Sequence, residues 1–274
     1  MLEQLVYKNH LNEIINFGED GIFVDTNELH DYSWNVTQKS SRITALTKGV
    51  STRKLPVKII CKTAELATAA KNKLMEVCEK DCMALKPGKI ILGDYYLSCF
   101  ITKSAKKNYL KNQRYIEVTL TLSTESPFWI REVTQSFLPG NNNAGSGFLD
   151  YSFDYDFDYM ELDKNEPLKN SAFSKSPFKM VIYGEVANPS VVVAGHEYGV
   201  ACMVGADEYL TIDSRTKKIF ITKPNGETVN HFADRNRDSY IFEPIPPGNS
   251  KVIWGGDYGF DITIFEERSE PKWT

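Results

Sequence analysis

The sequence predicts a mainly β protein of two domains that carries a single amphipathic helix. Three observations predict it. From Tyr115 to Leu122 the side chains alternate without a break between apolar and polar, the period of two of a half-buried strand. Between residues 63 and 81 the apolar positions recur instead every three or four residues, which is a helical spacing. The 274 residues also exceed the roughly 250 at which one hydrophobic core usually stops growing.

Taken in order, the first domain opens with a short apolar start and a Gly-Glu-Asp-Gly connection at residues 18–21, after which Ile22-Phe23-Val24 reads as a strand. Tyr32, Trp34 and Val36 alternate with Ser33 and Asn35 in a second extended segment. Residues 38 to 53, with Lys39, Arg42, Lys48 and Arg53 around Gly49, read as an exposed connection, either a rim that touches a neighbouring subunit or a solvated loop. Leu55, Val57, Ile59 and Cys61 share one face of a further strand. Thr63 is placed to cap the helix, Glu65 sits in its first turn, and Leu66, Ala70, Leu74, Val77 and Cys78 form its apolar stripe, which reads as core packing. After Pro87-Gly88, the pair Gly93-Asp94 joins Lys89–Leu92 to Tyr95–Ile101 as a hairpin turn with glycine first. The long strand from Tyr115 then ends at a Ser-Pro-Phe-Trp corner, residues 126–129.

An Asn- and Gly-rich stretch, Pro139 to Gly147, places the domain boundary near residue 140, giving domains 1–139 and 140–274 with residues 140–170 as the junction. Tyr209–Asp213 and Lys218–Thr222 are strands around a polar connection, and Pro224-Asn225-Gly226 marks the next reversal. The prolines at 244, 246 and 247, followed by Gly248-Asn249, separate Ile241–Glu243 from Lys251–Trp254. A Gly-Gly-Asp-Tyr-Gly turn leads on to Phe260, Ile262 and Ile264, which face opposite Asp261 and Thr263. The expectation is a meander of strand, turn, strand, turn, strand.

Composition narrows the function. A net charge of −4 gives no electrostatic case for nucleic acid as the main ligand. No run approaches the ~20 apolar residues of a membrane span, and Met1-Leu2-Glu3-Gln4-Leu5 lacks a basic start and apolar core, so a cytoplasmic product without export signal is expected. Five cysteines, an odd number, point to reduced thiols. Cys78 and Cys82 with Cys61 and Cys99 make a four-thiolate set on paper, but without a Cys-x-x-Cys pair they read as packing residues. Neither metal nor cofactor is expected. Asp154, Asp156 and Asp158 begin a calcium-loop spacing, yet Tyr159 stands where glycine belongs and Asn165 where glutamate belongs. His10, His30, His196 and His231 are scattered. Lys103, Lys106, Lys107 and Lys111 around Tyr109 read as a charged loop that would also suit phosphates. Neither Gly-x-Ser-x-Gly nor a phosphate-cradling glycine loop occurs, so no enzyme is expected. Trp254 and Tyr258 are candidate sugar contacts, set against a reading as core tryptophan and turn tyrosine.

The order Leu210-Thr211-Ile212-Asp213, Lys218-Ile219-Phe220, Asn225-Gly226, Pro246-Pro247-Gly248, Val252-Ile253-Trp254-Gly255 and Glu266 to Trp273 resembles the C-terminal domain of distal tail (Dit) proteins. These belong to long-tailed phages and prophages of Gram-positive bacteria. The helix, hairpin and long strand running into the Ser-Pro-Phe-Trp corner resemble the N-terminal domain of the same family, and the alternating acids and aromatics of Asp150 to Tyr159 its domain junction, although without the junction prolines. The resemblance implies a tail-tube-like N-terminal β domain that closes into a homohexameric ring, followed by a galectin-like β-sandwich. It implies a structural hub at the distal end of the tail, in the virion and assembled in the host cytoplasm. Its partners would be itself, the tail tube protein, a tail-associated tip protein and receptor-binding or baseplate proteins, with DNA passing through the ring. Arg42, Lys48 and Arg53 are the candidate ring-interface residues. A carbohydrate-binding module on the cell wall is the alternative, and a glycoside hydrolase with a lectin domain stands third.

Overall fold

A computed structural model describes residues 4–19, 21–107, 114–140 and 164–273. The chain divides into two compact units: residues 1–131 together with 267–274, and residues 132–266.

The first unit holds β1 (Leu5–Lys8), β2 (Ile14–Asn16), β3 (Ile22–Val24), β4 (Asn35–Lys39), β5 (Arg42–Thr47), β6 (Ser51–Ile60), helix α1 (Ala64–Ala84), β7 (Gly88–Leu92), β8 (Tyr95–Lys107), β9 (Tyr115–Thr124) and the start of β10 (Trp129–Phe137). All pairings are antiparallel. β9 lies between β6 and β8, and its predicted alternation is realised, with Ile116, Val118, Leu120 and Leu122 buried. β8 pairs with β7 over its first half and with β9 over its second, a change of partner that a register shift between Ile101 and Lys103 accommodates. Gly93 supplies the positive φ of 56° that the hairpin turn from β7 to β8 requires.

Thr63 caps α1 as expected, its Oγ1 accepting from the Leu66 amide at 3.2 Å. The stripe against the sheet is Ala67, Ala70, Leu74, Val77 and Cys78; Leu66, expected there, is 57% exposed because the stripe enters one position later. At its far end the stripe carries a residue no apolar pattern predicts. Asp81 is fully buried, with Tyr7 Oη donating to its Oδ2 at 2.5 Å, the His10 amide donating to Oδ1 at 2.9 Å, and His10 Nδ1 2.5 Å from the same oxygen. Gly88 completes this cluster: a Cβ there would collide with both the Asp81 carboxyl and the Tyr7 ring and hydroxyl. Burial and the bond to Asp81 hold the Tyr7 hydroxyl protonated far above the usual tyrosine range.

The second unit takes in the rest of β10 and holds β11 (Lys164–Asn170), β12 (Phe178–Tyr183), β13 (Val186–Ala187), β14 (Ser190–Val193), β15 (His196–Gly199), β16 (Met203–Val204), β17 (Tyr209–Asp213), β18 (Lys218–Thr222), β19 (Thr228–Asn230), β20 (Gly248–Trp254) and all but the last two residues of β21 (Phe260–Arg268). β21, β12, β17, β18 and β19 lie side by side in one sheet, and β11, β20, β14 and β15 make another. Met180, Ile182, Leu210, Ile212, Ile262 and Ile264 of the first share one core with Val191, Val193, Val252 and Trp254 of the second.

The expected meander is therefore corrected in two ways. β20 and β21 belong to different sheets, and residues 241–243 form no strand. Pro244, Pro246 and Pro247 leave that segment too few donors for a ladder; it buries Ile241, Phe242 and Ile245 and pairs only at Ile245 with Ser176. The division between units also falls within β10, short of the expected residue 140, and residues 267–274 belong to the first unit. Residues 141–163, most of the expected junction, lie outside the described residues.

Two outcomes are expected. Asp81→Ala leaves the Tyr7 hydroxyl and the His10 amide buried without their acceptor and lowers stability by about 3 kcal/mol in denaturant titration, and Gly88→Ala gives a loss of the same order. Burial raises the Cys99 thiol to about 12 and the Cys202 thiol to about 11, so neither is a thiolate near neutrality. Their modification by a thiol reagent in the native protein should be slow at pH 7 and accelerate as pH rises towards those values; equal rates for all five cysteines at pH 7 would refute this.

Candidate functional site

The segment from 38 to 53 is not a loop. β4 and β5 form a two-stranded antiparallel hairpin in which every residue is exposed on both faces. Among the described residues neither strand pairs with a third, so both outer edges of this arm present backbone donors and acceptors outside any ladder. Val36, Ile43 and Leu46 are 49, 62 and 54% exposed on it. At its tip Ser40 and Ser41 have φ of 48° and 62°, the positive values of a type I′ turn, which asparagine and glycine adopt with less strain. Lys39 stands directly opposite Arg42 beside that turn, a like-charge pair that disfavours the hairpin.

The root of the arm is by contrast tightly held. Lys48, immediately after β5, places its Nζ 4.5 Å from the ring centroid of Phe128, 4.8 Å from Trp34 and 5.3 Å from Tyr32. Its ammonium also donates to Ser269 Oγ at 2.7 Å. Burial, with Arg53 nearby, lowers the Lys48 pKa. Beneath it, Arg53 is buried, with Nη1 donating to the Leu29 carbonyl at 2.7 Å, and Trp129 Nε1 donates to the same carbonyl at 3.2 Å. Trp273 stacks on His30 with centroids 4.1 Å apart.

A groove of about 610 Å³ lies elsewhere on this unit, between β3, the end of β6 and the first turns of α1. Phe23, Ile60 and Leu66 line it and are 42, 48 and 57% exposed. Among the described residues β3 pairs with no strand but β6; on its other edge the Ile22 carbonyl accepts from the Gly18 amide at 2.7 Å.

These positions revise the candidate residues. Of the three interface candidates, Arg42 lies exposed at the arm tip, Lys48 anchors the root, and Arg53 is committed inside the unit. Trp254 and Tyr258 are 2 and 6% exposed, which removes them as sugar contacts. Trp254 packs edge-on to Phe137 and Phe260 and donates to the Tyr258 carbonyl at 3.1 Å, while Tyr258 donates to the Ser190 carbonyl at 2.6 Å. Burying these rings closes the β20–β21 turn from within, in accord with the reading of Trp254 as a core tryptophan. Lys103, Lys106 and Lys107 are exposed at the far end of β8; Tyr109 and Lys111, like Asp154, Asp156, Asp158 and Tyr159, lie outside the described residues. Asn165 is on β11. Among the described residues no three His, Cys, Asp or Glu side chains converge as metal ligands would. The arm was legible in part: Val36-Thr37 and Arg42-Ile43-Thr44 flank Ser40-Ser41 with β-branched residues, but the turn lacks the glycine that usually marks a hairpin.

No family model and no curated protein matches the sequence. Solved structures do. The crystal structure of the Dit protein of phage SPP1, described as a paradigm of the hub adsorption apparatus in phages infecting Gram-positive bacteria, matches with a TM-score of 0.62 at 9% identity, covering 98% of this chain and 100% of that one. The phage P2 baseplate in its activated conformation matches with TM-scores of 0.62 in its calcium form and 0.63 in its strontium form, each at 11% identity over 99% of this chain and 100% of that one. The chain is thus Dit-like in fold along its whole length.

The clamp at Lys48 makes a prediction. Lys48→Met removes a cation that three rings and a hydroxyl hold, a loss of about 1 kcal/mol, and amides bonded across β4 and β5 should exchange hydrogen about fivefold faster. Arg42→Met at the tip should leave the root unchanged; similar acceleration in both variants would mean that the cage does not hold the arm.

Proposed function

We propose that the protein is a structural, non-enzymatic hub at the distal end of a phage tail, in the virion. The first unit is a tail-tube-like, ring-forming domain; the second is a galectin-like sandwich that faces outward as an attachment platform. Six copies close into the ring, which joins the tail tube to the tip and to receptor-binding or baseplate proteins. DNA passes through it without specific binding, and assembly takes place in the host cytoplasm. The observation that carries this reading is the likeness of the whole chain, both units together, to a Dit protein and to baseplate structures.

The arm supports it physically. A closed ring is built from heterologous contacts, so each subunit must offer two different surfaces that complement one another. The first unit offers both: a projecting arm with open edges and exposed Val36, Ile43 and Leu46, and an apolar groove beside the edge of β3 that faces away from β6. Left-handed serines and opposed cations at the tip break the local rules of hairpin stability, which natural chains break mainly at functional sites. In this reading the arm of one subunit adds to the β3 edge and groove of the next.

Sedimentation at high protein concentration tests it. The wild-type chain should form the closed oligomer, whereas Ile43→Asp with Leu46→Asp on the arm, or Phe23→Asp with Leu66→Asp in the groove, should each give monomers. Mixing the two variants should restore dimers and nothing larger, because each mutant keeps one intact surface. Full rings from either variant alone would refute the arm-in-groove contact.

A further inference from the structure

A pocket of about 210 Å³ lies at the root of the arm, between the chain that enters β4 and the chain that leaves β5. Lys48, Ser51 and Arg53 line it on the leaving side, Glu28 and Asp31 on the entering side. Arg53 is 4% exposed, and its hydrogen bond goes to a carbonyl, that of Leu29, and not to a carboxylate. Among the described residues neither Arg53 nor Lys48 is ion-paired to an acid. A buried guanidinium ordinarily has an anion beside it, because taking an unpaired charge out of water is costly. Burial, and then the nearby guanidinium, lower the Lys48 pKa, so the two like charges act on one another. Ser51 adds a further unmet group: its hydroxyl is buried and has no hydrogen-bond partner. Such a group costs free energy unless something bonds to it.

The two carboxylates of the lining do not neutralise this pair. Glu28 is turned to Lys54, its Oε2 accepting from that amide at 2.9 Å and its Oε1 lying 3.9 Å from that ammonium. Asp31 is exposed and, among the described residues, makes no ion pair with either cation. Two cations and an unsatisfied hydroxyl match an oxyanion, whose oxygens can accept from all three. We propose that this pocket binds a small oxyanion, a phosphate or a carboxylate, held by Lys48, Ser51 and Arg53. The Lys48 ammonium has three donors and Ser269 takes one, so it serves the clamp and the ligand together. Asp31 repels the anion and keeps the affinity moderate. This inference does not depend on the arm-in-groove contact and would stand if that contact failed.

Titration of the full-length protein at constant ionic strength, followed by isotope-edited NMR, tests it with four probes: inorganic phosphate, acetate, the neutral isostere acetamide, and chloride. Phosphate or acetate should give saturable shifts at Ser51, Thr52 and Arg53 with a Kd of about 1 mM, and whichever binds tighter identifies the anion. Acetamide lacks the charge and chloride the several oxygens, so each should bind about tenfold more weakly. Lys48→Met should weaken the preferred anion about tenfold and Ser51→Ala about threefold. Asp31→Asn should tighten it about threefold, an opposite effect that a loosened fold does not produce. Because Lys48→Met also loosens the arm, Ser51→Ala carries the assignment independently: it removes a hydroxyl without a partner and should leave the remaining resonances in place. Unsaturated shifts at about 10 mM, acetamide or chloride binding as tightly as the preferred oxyanion, wild-type affinity in both Lys48→Met and Ser51→Ala, or weaker binding in Asp31→Asn would each overturn the proposal.

Discussion

A buried carboxyl is the constraint around which the first unit is arranged. Asp81 lies at the core end of an otherwise apolar helical stripe, where an unpaired acid would be prohibitive, so three groups from the N-terminal hairpin converge on it. Tyr7 reaches it from β1 and His10 from the turn after β1, while Gly88 at the start of β7 leaves the room they need. One side chain thereby fixes the helix, the first hairpin and the next strand in register with one another. Hydrophobic packing alone tolerates a sliding helix; a satisfied buried acid does not.

Much of this fold was legible because one face of each strand is buried. Where that holds, as along β9, β17, β18 and β21, the alternation of side chains named the strands and nearly their ends. Legibility failed for three physical reasons. Asp81 carries no apolar signal, and its partners lie 71 and 74 positions away. β4 and β5 bury neither face, so no alternation is imposed on them. Tyr258, read as a turn tyrosine, sits beside a glycine turn where exposure is the usual expectation, but its ring folds back into the core beside Trp254, whose reading as a core tryptophan holds. Among the candidate residues, Arg53, Lys48 and Trp254 are charged or amphipathic side chains whose polar atoms find partners inside their own unit.

The arm and the β18–β19 edge illustrate two ways of keeping a surface available. The arm spends no residue on its own core and has two unpaired edges, so its conformation depends on the clamp at its root. The β18–β19 edge lies on a well-packed sheet and needs no such support, because Phe242 is anchored in the core between Phe232 and Tyr240. A bare hairpin and a packed sheet edge make different demands on folding, and they occur in different units.

The first unit is built from two stretches of chain separated by the whole of the second. Ser269, which receives the Lys48 ammonium, and Trp273, which covers His30, therefore emerge from the ribosome only after residues 132–266 have been made. Translation thus imposes a timer on the clamp: a nascent chain can form the sheets of its first unit early, but Lys48 lacks its hydroxyl acceptor until the second unit has left the exit tunnel. Chains interrupted during synthesis would carry an arm with an incomplete root.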